Sequence, residues 1–271
     1  MDLDALPLKG DAAYRWTNKI VCSYPKSGRT WVRFLLSNYI QLSLGNNIPV
    51  NFQTVYSTVP NRETPAHGRG ISNSQNIPYD LRIAMDHQSF ELNEFAGQKI
   101  VLLVRDPRDI LVSHWHHAMN HYSNNRHVSM SSFIRDENTG IHSLLRYMKS
   151  WRVAIHSNEV LPITYEKLHR DTCASLSTML SHFEIADHEV NRRTAISQST
   201  FEKMQRSERR SGIRGIAYDY HNVNARRVRA GIVGGYRVAM DPSMQAYVQS
   251  AILEHQEHLP KIFVDLISRS D

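Results

Sequence analysis

Apolar residues in this chain fall into short unbroken runs that alternate with stretches of helical spacing. Ile20-Val21-Cys22 is the first short run, and Trp31, Phe34, Leu35, Asn38 and Tyr39 follow it at helical intervals. Ile100 to Val104 is an unbroken apolar run, the pattern of a strand covered on both faces in a parallel sheet. It ends in Arg105-Asp106-Pro107, where Asp106 is placed to cap a helix and Pro107 to open it. That helix continues through Leu111, Val112, Trp115 and Met119. Leu81 to Asp86 alternates weakly and predicts a short strand just before His87. Val160 to Tyr165 predicts another, with Pro162 arguing against a fully bonded central position. Helical periodicity fills 129–157 as two helices broken near Gly140, and it recurs from after Tyr165 to about Gln205. Residues 46–80 and 211–241 lack a period and predict irregular chain, and a last helix is predicted from Pro242 to about Ile267. Strands alternating with helices predict an α/β fold with a mainly parallel central sheet flanked by helices. Right-handed crossovers then place the strand ends along one edge of that sheet.

A length of 271 residues suits one large domain or two small ones. No linker or internal repeat divides the chain, so a single domain over 1–271 is expected, with a polar, lid-like segment at about 206–240. The glycines and arginines of that segment gain little from burial, which predicts a mobile lid. Lys plus Arg number 32 against 26 Asp plus Glu. Such a surplus suits an anionic ligand, nucleic acid or an acidic polymer. The charge is spread rather than blocked, which weakens the nucleic-acid reading. Its densest clusters, Arg206-Arg209-Arg210-Arg214 and Arg226-Arg227-Arg229, fall in the suspected lid. Cys22 and Cys173 are too few for a disulfide framework or a zinc site. The N-terminus lacks the pattern of a signal peptide and no apolar stretch reaches spanning length, so cytoplasmic residence is expected.

Candidate chemistry begins at Tyr24-Pro25-Lys26-Ser27-Gly28-Arg29-Thr30, the turn between the first strand and the first helix. A helix N-terminus presents amides without intrahelical partners and the positive end of its dipole, and both favour a multiply charged anion. Lys26 adds a point charge, and Ser27 and Thr30 add hydroxyl donors. Lysine precedes the only glycine, so the segment is not the Gly-Lys-Ser/Thr loop of nucleoside triphosphatases. It resembles the 5′-phosphosulfate loop of the sulfotransferase family, Tyr-Pro-Lys-Ser/Ala-Gly-Thr/Asn-Thr-Trp, and departs from it at Arg29. Val104 to Asp109 followed by Ser113 resembles the family's 3′-phosphate motif. Arg105 leaves the strand tip, Ser113 lies about two turns into the helix, and the planar arginine fork matches phosphate oxygens. An ion pair between Arg105 and Asp109 is the purely structural alternative. Arg229-Ala230-Gly231, with Gly234 and Arg237, is similar to the Arg-Lys-Gly-x-x-Gly-Asp-Trp-Lys stretch that closes over the 3′-phosphate, with departures at Ala230 and Gly235. Ser199-Thr200-Phe201 resembles the family's adenine-contacting segment, and Tyr165 another base-contacting position. For Phe201, core packing is the plain alternative.

The resemblance runs from Ile20 to about Met240. It implies a P-loop-like three-layer fold and an enzyme, a sulfotransferase using 3′-phosphoadenosine 5′-phosphosulfate (PAPS) and releasing adenosine 3′,5′-bisphosphate (PAP). The acceptor implied is a hydroxyl or amine of a small molecule or carbohydrate. Nucleotide contacts are implied for Lys26, Ser27, Gly28, Arg29, Thr30, Trp31, Arg105, Ser113, Tyr165, Ser199, Phe201, Arg229, Ala230 and Gly231, with Ser199 bonding the base and Phe201 stacking opposite Trp31. Lys26 would also stabilise charge on the leaving oxygen. His87 stands where the family has a Lys-Thr-His pattern and is the implied general base, with Asp86 as the spare. No metal is required in this scheme, because Lys26 and amides supply the positive charge. His114, His116, His117 and His121 form a dense group. His117 and His121, one turn apart, have metal-ligand spacing, but a helix face beside the cleft is the plainer reading. A P-loop kinase using ATP lacks its Gly-Lys-Ser/Thr loop and a clear acidic magnesium ligand. A non-catalytic nucleic-acid module would explain the charge alone. Neither a nucleic-acid nor a membrane partner is expected.

Overall fold

In a computed structural model that describes residues 16–268 apart from 47, 63–68, 72–73, 75 and 122–127, the apolar runs become adjacent strands. β1 (Lys19–Ser23), β2 (Ala84–Asp86), β3 (Lys99–Val104) and β4 (Val160–Thr164) form a parallel sheet in the order β2-β1-β3-β4. Helices of six residues or more are α1 (Arg29–Ser43), α2 (Pro107–His121), α3 (Met130–Arg135), α4 (Ile141–Trp151) and α5 (Tyr165–Arg170). They continue with α6 (Thr172–His182), α7 (Glu189–Gln198), α8 (Phe201–Ser211), α9 (Pro242–Glu254) and α10 (Lys261–Ser268).

Strand alternation sends Ile20, Cys22, Ile100, Leu102 and Val104 to one side of the sheet and Val21, Val101 and Leu103 to the other. The first set packs against Ile110 and Leu111 of α2, Leu144 and Trp151 of α4, Ile252 of α9 and Phe263 of α10. The second packs against Val32, Leu35, Tyr39 and Ile40 of α1 and Leu176, Met179 and Leu180 of α6. Both faces of the sheet are covered, as the unbroken apolar strands require. Pro162 is tolerated because β4 lies at the edge, in register with Leu102. No helix among the described residues is long and apolar enough to cross a membrane.

Several local expectations are corrected. The strand expected from Leu81 begins only at Ala84, because Tyr79–Leu81 turns as a 3-10 helix after Pro78. The single last helix is two: α9 stops at Glu254, and Pro260 forces Leu259 into extended backbone before α10 begins. The suspected lid starts inside α8, which runs through Ser211 to a left-handed Gly212. It is also packed rather than loose. Ile213, Ala225, Val228 and Tyr236 are buried in it. Ile213 and Val228 join Phe34, Phe52, Val55, Tyr56 and Met204 in a small cluster that ties the lid to α1 and to the excursion after it. Ser207 Oγ accepts from the Phe52 amide at 3.1 Å, and Gln53 Nε2 donates to Ser211 O at 3.0 Å.

The break between α3 and α4 falls at Gly140 as expected, and its cause is crowding. A Cβ there would lie 2.2 Å from Ile134 O and 2.6 Å from Asp136 O. Gly140→Ala is expected to destabilise the fold by roughly 2–3 kcal/mol, the range for forced overpacking. Chemical denaturation checks this, and a wild-type midpoint would show that the α3–α4 corner relaxes freely.

Candidate active site

Because the strands are parallel, their C-terminal ends share one edge, and each end delivers a side chain to the same cavity of about 820 Å³. Lys26 follows β1, His87 follows β2, Arg105 follows β3 and Tyr165 follows β4. The first loop is tightly shaped. Lys26 adopts left-handed backbone at φ 73°, and Gly28 at φ 102°. A Cβ on Gly28 would lie 2.6 Å from Tyr165 Cδ2, so only glycine lets the loop press against that ring. Gly28 is the N-cap of α1 and no side chain caps the helix. Such an end attracts anions.

Cations converge on this loop. Burial, then Arg227, Arg105 and Arg229, push the Lys26 ammonium well below the ordinary lysine range, against the opposing pull of Glu208. Arg105 donates to Lys26 O at 3.1 Å and to Ile232 O at 3.0 Å, and its guanidinium lies 4.3 Å from the Tyr165 ring centroid. The Arg105–Asp109 pair is present but long, at 3.7 Å. Asp109 instead accepts from the Gly234 and Tyr236 amides at 2.8 and 2.9 Å, which fastens the one-turn helix Tyr236–Ala239 to α2. Burial and Arg105 lower Arg229 in turn.

His87 sits at the tip of β2 with its ring orientation fixed. Its Nδ1 bonds the Ser23 carbonyl at 2.6 Å, so Nδ1 carries the proton and the lone pair of the neutral ring lies on Nε2. Burial, then Arg29, Arg33 and Arg227, hold its pKa well below the ordinary histidine value, with the Ser23 bond opposing. The spare base is otherwise engaged. Asp86 is fully buried, pairs with Arg62, and accepts from the His87 and Gln88 amides at 2.7 and 3.0 Å.

Of the residues singled out from the sequence, Lys26, Gly28, Arg29, Thr30, Trp31, His87, Arg105, Ser113, Tyr165, Phe201, Arg229, Ala230 and Gly231 line this cavity. Gly231, at φ 65°, seats the chain directly on Phe201, whose Cδ2 a Cβ would meet at 2.6 Å. Trp31 stands edge-on to Tyr165 at 5.9 Å between centroids. Ser27 and Ser199 are not among the lining residues. The Ser27 hydroxyl is buried. The Ser199 hydroxyl, also buried, accepts from Asn38 Nδ2 at 2.9 Å and so ties α7 to α1.

Other lining residues were not foreseen: Arg33, Tyr56, Asn61, Arg69 and Arg227. Arg227 carried only the signal of a charge cluster. What places it is Glu208, a buried carboxylate that accepts from the Arg227 and Val228 amides at 2.7 and 2.9 Å and from Tyr218 Oη at 2.6 Å. His114, His116 and His117 also line the cavity. Burial and Lys26 push His114 down to about 4, and burial, Arg229 and Lys26 do the same to His116, so both are neutral at pH 7. His121 bonds Ala225 O at 2.6 Å, which fastens α2 to the lid. Among the described residues no three His, Cys, Asp or Glu side chains converge to hold a metal.

A family model for the sulfotransferase domain matches residues 17–260. A 3-beta-hydroxysteroid sulfotransferase of Cavia porcellus is 24% identical over 157 residues, 56% of this chain and 54% of that protein. The chain therefore aligns with about half the length of that relative. Solved structures with a similar fold include a mouse sulfotransferase complexed with PAP, at TM-score 0.65 and 20% identity over 89% of this chain and 84% of that one. A retinol dehydratase in complex with androsterone and inactive cofactor PAP superposes at TM-score 0.66 and 19% identity, over 88% and 80%. The chain belongs to the sulfotransferase family, whose members move sulfuryl groups, and it has the P-loop-like three-layer fold.

Glu208→Gln is expected to free the 218–228 segment, because one amide oxygen cannot replace two carboxylate oxygens that serve three donors. The loss should be about 2–3 kcal/mol, the scale of leaving buried donors unmatched. Limited proteolysis should then cut after Arg226 and Arg227 faster than in wild type. Unchanged cleavage would remove Glu208 as the anchor.

Proposed function

We propose that the protein transfers the sulfuryl group of PAPS to a hydroxyl of a small acceptor molecule. The observation that supports this best is the meeting of Lys26, His87 and Arg105 from three adjacent strand ends in one cavity. The residues present fit the donor. Arg105, Ser113 and Arg229 offer charged and hydroxyl donors suited to a 3′-phosphate, and the loop from Lys26 to Thr30 suits the 5′ group. Trp31, Tyr165 and Phe201 offer aromatic faces to a purine. The PAP bound in the two similar structures supports the same reading. A single domain over 1–271, with 206–240 closing one side of the cavity, belongs to this proposal.

When bound, PAPS supplies an activated sulfuryl group, whose bond to the 5′-phosphate breaks as the acceptor oxygen attacks sulfur. His87 Nε2 takes the proton of the attacking hydroxyl, and its bond to Ser23 O keeps that lone pair oriented. Lys26 donates to the phosphate oxygen that receives the electron pair, where charge develops. Arg105 and Arg229 hold the far phosphate, so that binding energy remote from the reaction positions the reacting atoms.

Calorimetry tests the nucleotide reading. PAP should bind more tightly than 5′-AMP, and Arg105→Ala should abolish most of that difference, about 2–3 kcal/mol for a charged hydrogen-bonded contact. Equal affinity of wild type for the two nucleotides would sink the proposal.

The pH profile follows from the two shifted groups. His87 must be unprotonated, so kcat/KM rises with pH through a pKa held below the ordinary histidine value. Lys26 must be protonated, so kcat/KM falls with rising pH through a pKa held below the ordinary lysine value. Both limbs are therefore displaced toward acid. Lys26→Ala should lose the alkaline limb and at least about a hundredfold in turnover, the scale of one preorganised donor. A profile with no alkaline fall up to pH 10 would contradict the Lys26 assignment, and an acid limb at or above the ordinary histidine pKa would contradict that of His87.

A further inference from the structure

The cations of the cavity fall into two groups. Lys26, Arg105 and Arg229 face the proposed nucleotide, and Arg227, the strongest charge acting on Lys26, stands between the two groups. The second group surrounds Tyr56. Its ring lies 4.4 Å from the Arg33 guanidinium and 5.6 Å from that of Arg69. Burial alone would raise this phenol, yet Arg33, Arg227, Arg69 and Arg29 together lower it. The wall that carries them is built, not draped. Arg33 donates to Val59 O at 3.0 Å and to Asn61 Oδ1, and the Asn61 amide donates to Arg69 O at 2.8 Å. Arg69 Nε is buried and makes no hydrogen bond among the described residues.

This second group lies on the side of the proton acceptor, because Arg29, Arg33 and Arg227 are the charges that act on His87. Glu208, behind the lining, offsets Arg227 in part, and few carboxylates stand in the lining itself. Asp109 and Glu202 are the acidic residues among the described lining, and Asp109 is held by the Gly234 and Tyr236 amides. His114 and His117 extend the polar lining beside it. A wall of this kind leaves an apolar acceptor without matching surface and gains from one with negative charge.

Resting on the sulfotransferase reading, we infer that the acceptor carries an oxyanion group, in the simplest case a carboxylate, near the hydroxyl that receives sulfate. Arg69 and Arg227 bind it, with Arg29 beside them, and Tyr56 donates to it. The guanidinium forks suit a carboxylate bidentately, which fixes the acceptor hydroxyl at His87.

The test uses matched probes on PAP-saturated protein: 4-hydroxyphenylacetate against 4-hydroxyphenylacetamide, and methyl glucuronide against methyl glucoside. Calorimetry should show at least one carboxylate bound about tenfold or more tightly than its neutral partner, the scale of one charge-assisted contact. Labelled sulfate from PAPS should enter that carboxylate faster by a similar factor. Added salt should shrink the preference. Arg69→Gln and Arg227→Gln should each reduce it to about twofold or less, with PAP binding by Arg69→Gln showing that this variant is folded. Neutral members binding as well as the carboxylates overturns the inference, as does failure of every probe to bind the PAP-loaded protein. So does a preference that survives in both variants. Failure of wild type to bind PAP at all overturns the nucleotide reading first, and this inference with it.

Discussion

Like charges crowded into one cleft repel, and the rest of the structure depends on holding them there. Two unit charges 4 Å apart at a protein surface interact by about 4 kcal/mol. The obvious relief would be carboxylates in the cavity wall. Few stand there, and three buried carboxylates around the site, Asp109 of the lining among them, are turned to backbone amides. Asp86 accepts from His87 and Gln88, Asp109 from Gly234 and Tyr236, and Glu208 from Arg227 and Val228. Each thereby fixes a segment that carries a lining residue, and the charge of Asp86 is met in addition by its ion pair with Arg62. The cleft keeps a positive potential because its counter-charges serve as fasteners.

The sheet supplies the frame for this arrangement. Parallel strands in the order β2-β1-β3-β4 bring the residues after β1, β2 and β3 side by side, and the aromatic side chain after β4 closes the row. Gly28 and Gly231 then let backbone rest directly on Tyr165 and Phe201. The two rings work as a floor for the loop and the lid as well as surfaces for a ligand.

What was legible in the sequence was local. The turn from Tyr24 to Thr30 and the Arg105-Asp106-Pro107 start are written in consecutive residues, and twelve of the fourteen implied nucleotide contacts line the cavity, with Ser27 and Ser199 set behind it. The bond of the Ser199 hydroxyl to Asn38 was not legible, because a short hydroxyl next to a phenylalanine reads the same whatever it faces. The last helix misled because Pro260 lies within an otherwise even apolar pattern. Glu208 had no local signal and Arg227 only that of a charge cluster, since their roles arise from contacts between α8 and a segment some twenty residues further on. The lid read as loose because its anchors are single side chains scattered through a polar stretch, and spacing does not reveal them.

The central place of β1 also shapes how the chain is made. Ile20 pairs with Ala84 on one side and Ile100 on the other, so neither partner has been synthesised when β1 and α1 leave the ribosome. For that interval Val32, Leu35, Leu36 and Ile40 have no sheet face to cover, although they are wholly buried in the finished protein. Non-local parallel pairing of this kind is slow, and it leaves apolar surface open to association while it is incomplete. The strand that organises the site is thus synthesised first and locked late, which makes the nascent chain, more than the folded protein, the stage most exposed to aggregation.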